Sequence, residues 1–523
     1  MNNIEFIVGP PGTGKTHIYL KKKYQELLQN GFEPQNIICL SHTNVAAEEI
    51  TEAVKELPEI KIKNLDEDFF DYKIGTIHSY CQSKLNKKSL FDDQDHLNLC
   101  REHKEFRYDP EKNVDEHEFY KIVKSAKGFG LGDKIRDFHF PRRHDFKFYK
   151  DTSVVEDMYE WFMKYKDREY VRSYEDMIEE FNHENVKEPL IDVLIVDEAQ
   201  DSNDPQRKAL EKIATHAKKF IMIGDPDQTI FEWAGANADY FHRISRDAKD
   251  LEQGRRCGKT INEECKKIIA PIWKHYKYNR TWKPVEGIIG KHYHLPDYTS
   301  NCSARIALLD KIKNTNESFL FTFRGTPSHK WIKKFLMSNG INFSHVGNDP
   351  FVSQKKFFSH KTWPEFVKGK PVSLKQIKHY WEFMGTKAIV YGKKTEKFKD
   401  WIDREYTAQE LIEKGFLRSE SVDFIDFTDV RVPNEVKKDE EKIRWIKDLI
   451  RNGIDIKDDN RIQYGNIHQV KGLTFDNVVV DLTMVRKEDY FTQLRLKYVA
   501  YSRGRIDCWT IASQGDYKLG ERQ

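Results

Sequence analysis

Eight consecutive residues, Gly9-Pro10-Pro11-Gly12-Thr13-Gly14-Lys15-Thr16, match the spacing G-x-x-x-x-G-K-[ST]. Glycines at these positions free backbone N–H groups to wrap a polyphosphate. A helix starting after them aims its positive end at the same charge. Lys15 is placed to reach the β- and γ-phosphates, and the Thr16 hydroxyl to ligate Mg²⁺. The spacing predicts a bound nucleoside triphosphate, ATP in the simplest case, held together with Mg²⁺.

A second acidic element follows the mostly apolar run 190–196: Asp197-Glu198-Ala199-Gln200-Asp201. A carboxylate at the tip of a buried strand beside such a loop holds Mg²⁺, so Asp197 joins Thr16 as a predicted metal ligand. Glu198 is placed to orient and deprotonate an attacking water. A merely solvated acidic run would not be fed by a hydrophobic strand, so the pair predicts hydrolysis rather than binding alone.

The elements that must position these groups show in the apolar pattern. Short apolar runs at 4–8, 37–40, 193–196 and 220–223 alternate with charge-rich helical stretches, the pattern of a parallel α/β sheet. A second set falls at 319–323, 422–425, 478–482 and 509–512. Two intervals are too long for ordinary crossovers. The expected architecture is therefore two α/β cores, each with a mostly helical inserted subdomain. Residues 1–81 and 191–250 form the first core with the ATP site, and 82–190 its insert. Residues 251–349 and 446–523 form the second core, with 350–445 as an insert that is basic at its start. Pro433 and the charged run 437–442 read as solvated connection.

The chain has 523 residues, enough for two to four domains, with 38% hydrophobic and 33% charged residues. Mean hydropathy is −0.75. No apolar run approaches the roughly 18 residues that would span a bilayer, so a soluble, cytoplasmic protein without a membrane partner is expected. Seven cysteines without C-x-x-C spacing disfavour a zinc site or a disulfide framework. Net charge is only +3, but residues 351–400 carry 12 Lys against Glu365, Glu382, Glu396 and Asp400. Residues 121–150 carry 9 Lys/Arg against Asp133, Asp137 and Asp145. Both windows contain rings (Phe146, Phe148, Tyr149; Phe357, Phe358, Trp363, Trp381). They read either as strand-tracking surfaces or as solvated lysine faces over core aromatics.

Gly224-Asp225-Pro226-Asp227-Gln228-Thr229-Ile230-Phe231-Glu232-Trp233-Ala234-Gly235-Ala236 adds a third motif. In order with the first two, it resembles motifs I, II and III of the UvrD/Rep-like (superfamily 1A) DNA helicases. The run 40–47 resembles their motif Ia, 75–79 motif Ib, 251–256 motif IV, 466–475 motif V and 495–505 motif VI. The resemblance covers about residues 4–512. It implies two RecA-like P-loop cores, ATP hydrolysis, and 3′→5′ movement on single-stranded DNA with unwinding at single/double-strand junctions. It makes Gln228 a γ-phosphate sensor and Arg256 and Arg503 arginine fingers, so that two lobes share one triphosphate. It places Gly9 to Thr16, His17, Arg255 and Gly472 around the nucleotide. It places His42, Thr43, Asn44, Thr76, His78, Phe231, Trp233, His468 and Lys471 on nucleic acid, with Phe231 and Trp233 stacking on bases. Protein partners are not specified.

The chain departs from the family pattern at several positions. Only Met1, Asn2 and Asn3 precede Ile4, where relatives carry an adenine-reading glutamine. His17 stands for a basic residue and Arg255 for an adenine-stacking tyrosine, which together predict looser base choice. His42, Ala234 and Thr474 replace Phe, Arg and Glu. Other readings stay open: a translocase that strips proteins but unwinds weakly, an ATP-switched nucleic-acid-binding module, and an RNA track, since no 2′-OH reader is identifiable.

Overall fold

The structure, a computed structural model, describes residues 4–63, 65, 67–85, 88–109, 113–132, 134–142, 149–184, 191–278, 280–347, 349–350, 352–395, 398, 401–456, 461–482 and 489–512. The chain folds as two compact units, Met1–Gly290 with Glu488–Ser502, and Lys291–Lys487 with Arg503–Gln523. The division falls at Gly290 rather than at the expected 250. The segment carrying the helix Tyr490–Tyr501, expected with the second core, is part of the first unit.

The first unit is built on a six-stranded sheet whose pairings are all parallel. Its strands are β1 (Ile4–Val8), β2 (Ile37–Ser41), β3 (Ile74–Thr76), β4 (Ile191–Val196), β5 (Ala217–Gly224) and β6 (Lys249–Asp250), in the order β3-β2-β4-β5-β1-β6. The central strands are apolar because both faces are covered, and successive side chains leave opposite faces. Phe6, Val8, Ile38, Leu40, Leu194, Val196, Phe220 and Met222 enter one core. Ile7, Ile37, Cys39, Val193, Ile195, Ile221 and Ile223 enter the other.

Between β3 and β4 stands the helical insert, its base marked by a short parallel pairing of Ser89–Leu90 with Val171–Arg172. Its helices begin at polar caps. Asp92, Asp151 and Ser173 accept backbone N–H groups at the starts of Asp93–Glu102, Thr152–Glu169 and Tyr174–His183. Phe91, Phe106, Phe119, Tyr149, Met158 and Phe162 belong to its own core.

The second unit contains a seven-stranded sheet: β7 (His292–Leu295), β8 (Phe319–Phe323), β9 (Ser344–His345), β10 (Asp349–Pro350), β11 (Ile462–Asn466), β12 (Phe475–Asp481) and β13 (Gly504–Ile511). The order is β10-β9-β11-β8-β12-β13-β7, parallel except where β9 meets β10. The expected strand at 422–425 is absent; Ser419–Asp423 is a 3₁₀ turn. In its place β11 joins the sheet, a strand whose Gln463, Gly465 and Asn466 interrupt the apolar run that would have announced it. The charged run 437–442 is no connection but part of the helix Pro433–Arg451. Proline at the first helical position lacks only an N–H that would have no partner there, and Ile443, Trp445, Ile446 and Leu449 bury the helix's apolar face.

Among the described residues, four rings of the basic windows are packed inward. Phe357, Trp363 and Trp381 are buried in the second unit and Tyr149 in the first, while Phe146 and Phe148 lie outside the described residues. Lys355, Lys356 and Lys361 are paired with Glu382, Asp439 and Asp455, and Lys394 donates to the carbonyls of Trp381 and Met384. Ring burial matches the reading of core aromatics, while Lys355, Lys356 and Lys361, three of the 12 lysines of the 351–400 window, lie on carboxylates.

Candidate functional site

The loop Gly9–Thr16 joins β1 to a helical segment that begins at Lys15 and continues as Lys21–Gln29. It is pinned to the sheet where Gly9 N donates to Gly224 O at 3.0 Å. Gly12 (φ 71°) and Gly14 (φ 79°) adopt left-handed backbone, open to glycine at no steric cost. Lys15 is 8% exposed and donates from Nζ to Gly9 O at 3.0 Å; its ammonium is 3.7 Å from Glu198 Oε1. Pro10 and Thr13 close the turn, with Thr13 N and Oγ1 both donating to Pro10 O.

Asp197 follows β4 with its N–H on Leu40 O, and Thr16 Oγ1 donates to Asp197 Oδ2 at 2.5 Å. The structure thus brings together the two predicted metal ligands, 181 positions apart in sequence. Burial first, then the charge of Glu198, raises the Asp197 carboxyl to about 6, against the pull of Thr16 and Lys15. A hydroxyl and a carboxylate side by side are the all-oxygen donor type that a hard divalent cation takes.

Glu198 occupies left-handed backbone (φ 51°) that only the surrounding structure can hold. Gln200, to which the motif pattern assigns no role, explains how the Glu198 side chain is oriented. Its Nε2 donates to Glu198 Oε2 at 2.5 Å while its Oε1 accepts Asp225 N at 3.0 Å. A Cβ at Gly224 would stand 2.3 Å from Gln200 Oε1, so the glycine before Asp225 makes room for that bridge. Asp225 Oδ2 in turn accepts from Gln228 Nε2 at 2.8 Å.

Arg255 and Arg256 lie on the Gly9–Thr16 loop within the same unit. Arg255 N donates to Gly12 O at 2.7 Å, and a Cβ at Gly12 would come within 2.3 Å of Arg256 Cβ. Arg256 Nη1 donates to Ser502 O at 3.4 Å, and burial lowers its guanidinium pKa. His17 is exposed, 3.8 Å from Glu49.

The predicted nucleic-acid residues of the first unit fall at strand ends and helix starts. His42 Nε2 pairs with Ser202 Oγ at 2.9 Å; Thr43 caps the helix Asn44–Lys55, and Thr76 caps Ile77–Lys84. His78 meets the Tyr174 ring edge-on at 5.8 Å, and burial, then Lys124, lowers its pKa to about 4. Phe231 is half-buried with its ring centroid 6.4 Å from that of Trp233, which is 48% exposed. Trp233 is therefore no core residue.

Arg503, His468, Lys471 and Gly472 belong to the second unit. Arg503 is buried, its Nη1 donating to Leu473 O at 3.5 Å and its carbonyl accepting Phe475 N at 2.9 Å. His468 N donates to Asn466 Oδ1 at 3.0 Å in the turn after β11, and Gly472 (φ 91°) continues that turn.

Residues 1–249 match the family model of the UvrD/REP helicase N-terminal domain. The chain is 21% identical to the ATP-dependent DNA helicase Rep of Buchnera aphidicola subsp. Schizaphis graminum, across 100% of this chain and 94% of the relative. It is 23% identical to the ATP-dependent DNA helicase PcrA of Bacillus subtilis over 66% of this chain and 48% of the relative. It is also 23% identical to a probable DNA helicase II homolog of Mycoplasma pneumoniae, over 60% and 47%. The chain thus spans about half the length of the latter two proteins. Among the described residues, no helix is long and apolar enough to cross a membrane.

Proposed function

We propose, from the match of residues 1–249 to the UvrD/REP helicase N-terminal domain model, that this chain is an ATP-hydrolysing DNA helicase. Its track is single-stranded DNA, followed 3′→5′ to single/double-strand junctions. The observation that carries this reading is the meeting of Lys15, Thr16, Asp197 and Glu198 at one loop, 3.7 Å or less between each contacting pair. An exposed Trp233 sits five residues beyond Gln228 on the loop that leaves this cluster.

Mg²⁺ held by Thr16 and Asp197 would supply positive charge to the phosphate oxygens. Lys15 exchanges Gly9 O for the β/γ-phosphate oxygens. Glu198, aimed by Gln200, takes the proton of the attacking water. Gln228, fixed on Asp225, reports whether the γ-phosphate is present. Arg256 neutralises charge that develops in the transition state, a role worth about 10³–10⁵ in turnover for such fingers. Arg503 is assigned the same role on the resemblance of its motif.

Two measurements test the proposal. Lys15→Ala should abolish ATP turnover, and retained turnover would place the nucleotide elsewhere. Strand displacement should occur on 3′-tailed DNA and fail on 5′-tailed, blunt and all-RNA substrates. ATP-driven displacement of a bound protein without strand separation would instead favour a translocase that strips its track.

A further inference from the structure

The loop that carries Trp233 touches the helical insert backbone to backbone. Gly128 closes the insert helix Glu118–Gly128, and a Cβ built on it would stand 2.1 Å from Ala234 O. A Cβ on Gly235 would stand 2.1 Å from Gly128 O and 2.9 Å from Phe129 N. The two glycines use their missing side chains in opposite ways. Gly235 also needs its left-handed φ of 92°. Gly128 has no positive φ, so its lack of a Cβ serves only the contact.

The insert side of this contact is braced by buried ion pairs. Lys127, next to Gly128, is 2% exposed and donates to Asp176 Oδ1 at 2.8 Å and Glu179 Oε2 at 2.6 Å. Lys166 reaches the other Asp176 oxygen at 2.7 Å, which ties the helix Thr152–Glu169 to the same carboxylate. Asp176 and Glu179 lie on Tyr174–His183, whose Met177, Ile178 and Phe181 enter the core of the first sheet. The loop side is a single 3₁₀ turn, Glu232–Ala234, and Ala234 O is the atom a Cβ would strike.

We propose that Gly128 is a positioning residue for Trp233: the insert sets the height of the base-stacking turn through the Gly128–Ala234–Gly235 contact. This rests on the proposed reading of Trp233 as a base-stacking residue. Because one peptide separates Trp233 from Ala234 O, DNA bound at Trp233 loads the insert helix, while Glu232 holds the other side of the turn on Arg495 and Thr492.

The first test is Gly128→Ala, a change that favours helix and adds one methyl. It should leave the KM for ATP in DNA-free hydrolysis within about twofold and raise the oligo-deoxythymidine concentration for half-maximal stimulation roughly tenfold, the scale of one base stack. A merely structural defect would instead lower DNA-free turnover. The second test needs no substitution. In wild-type protein, oligo-deoxythymidine should slow amide exchange of residues 121–130 together with 231–236. Trp233→Ala should remove both protections. Stimulation by DNA that is unchanged in Gly128→Ala, or protection confined to 231–236, would overturn this inference alone. A wild-type ATPase indifferent to DNA would overturn the proposed function and this inference with it.

Discussion

Glu232 accepts a hydrogen bond from Arg495 Nη2 at 2.6 Å, and the same carboxylate oxygen accepts Thr492 Oγ1 at 2.6 Å. The residue before Trp233 is thereby anchored to the helix Tyr490–Tyr501, whose Tyr498 hydroxyl lies 3.4 Å from Asp225 Oδ2. Within the first unit, the exposed Trp233 turn and Asp225 thus share one support.

Removing that anchor strands a buried cation. Arg495 is 3% exposed, and beyond Glu232 its next carboxylate neighbour is Asp489, at 3.9 Å. Glu232→Ala should cost about 2–3 kcal/mol, somewhat under the range for breaking a fully buried pair because Glu232 is partly solvated. Differential scanning fluorimetry should register a loss of roughly 2–5 °C. A Tm within about 1 °C of wild type would show that Asp489 takes over.

Asp197 should give a pH signature. A carboxyl whose folded pKa of about 6 exceeds its ordinary value of 3.8 costs stability in full above the folded value, and the cost vanishes as pH falls below the unfolded one. In Mg²⁺-free protein, Asp197→Asn should therefore raise Tm near about pH 8 and lose that advantage near about pH 4. The gain is bounded by about 3 kcal/mol, the shift taken at about 1.4 kcal/mol per unit. With Mg²⁺ and ATP present, the same variant should be inactive. A Tm difference independent of pH would show that Asp197 titrates as an ordinary carboxylate.

Trp233→Ala should separate binding from stability. Half of the side chain is already in water, so Tm should move by no more than about 2 °C. Affinity for oligo-deoxythymidine should fall by about 1–3 kcal/mol, the usual worth of a base–aromatic stack. Unchanged affinity would remove Trp233 from the track.

Arg255 and His17 should govern how strictly the base is chosen. Arg255 is held on Gly12 by its backbone, and both side chains reach solvent. A guanidinium stacks on any purine, whereas rejection by factors of about 10⁴ needs hydrogen bonds to the base edge. The kcat/KM values for ATP and GTP should agree within about tenfold, and Arg255→Ala should raise both KM values alike. Strict use of ATP would show that another group reads the adenine edge.

Sequence and structure diverge where spacing gives way to contact. The Gly9–Thr16 loop after a strand, the Asp197–Glu198 pair at a strand end and most core strands were legible because each is a local pattern: glycines at fixed offsets, or an apolar run ending in a carboxylate. Gln200 was not, although it sits inside DEAQD, because its partners Glu198 and Asp225 meet only when β4 and β5 lie side by side. Gly128 had no signal at all. Nothing near it in sequence tells that Ala234 O will arrive at the place of its missing Cβ. The rings of 351–400 were left between two readings for the opposite reason. Composition counts lysines and aromatics but not which face they take, and the rings Phe357, Trp363 and Trp381 went inward.

What the sequence determined by itself was local: a glycine-rich loop after one strand and a carboxylate pair at the end of another, since these depend on residue type and short spacing along one strand and turn. What only the tertiary structure decided was their company. It put Thr16 on Asp197, Arg256 on Gly12, Glu232 on Arg495 and the insert on the Trp233 turn. Such pairs come from segments more than a hundred residues apart, and only the packing of strands and helices around shared cores brings them into contact.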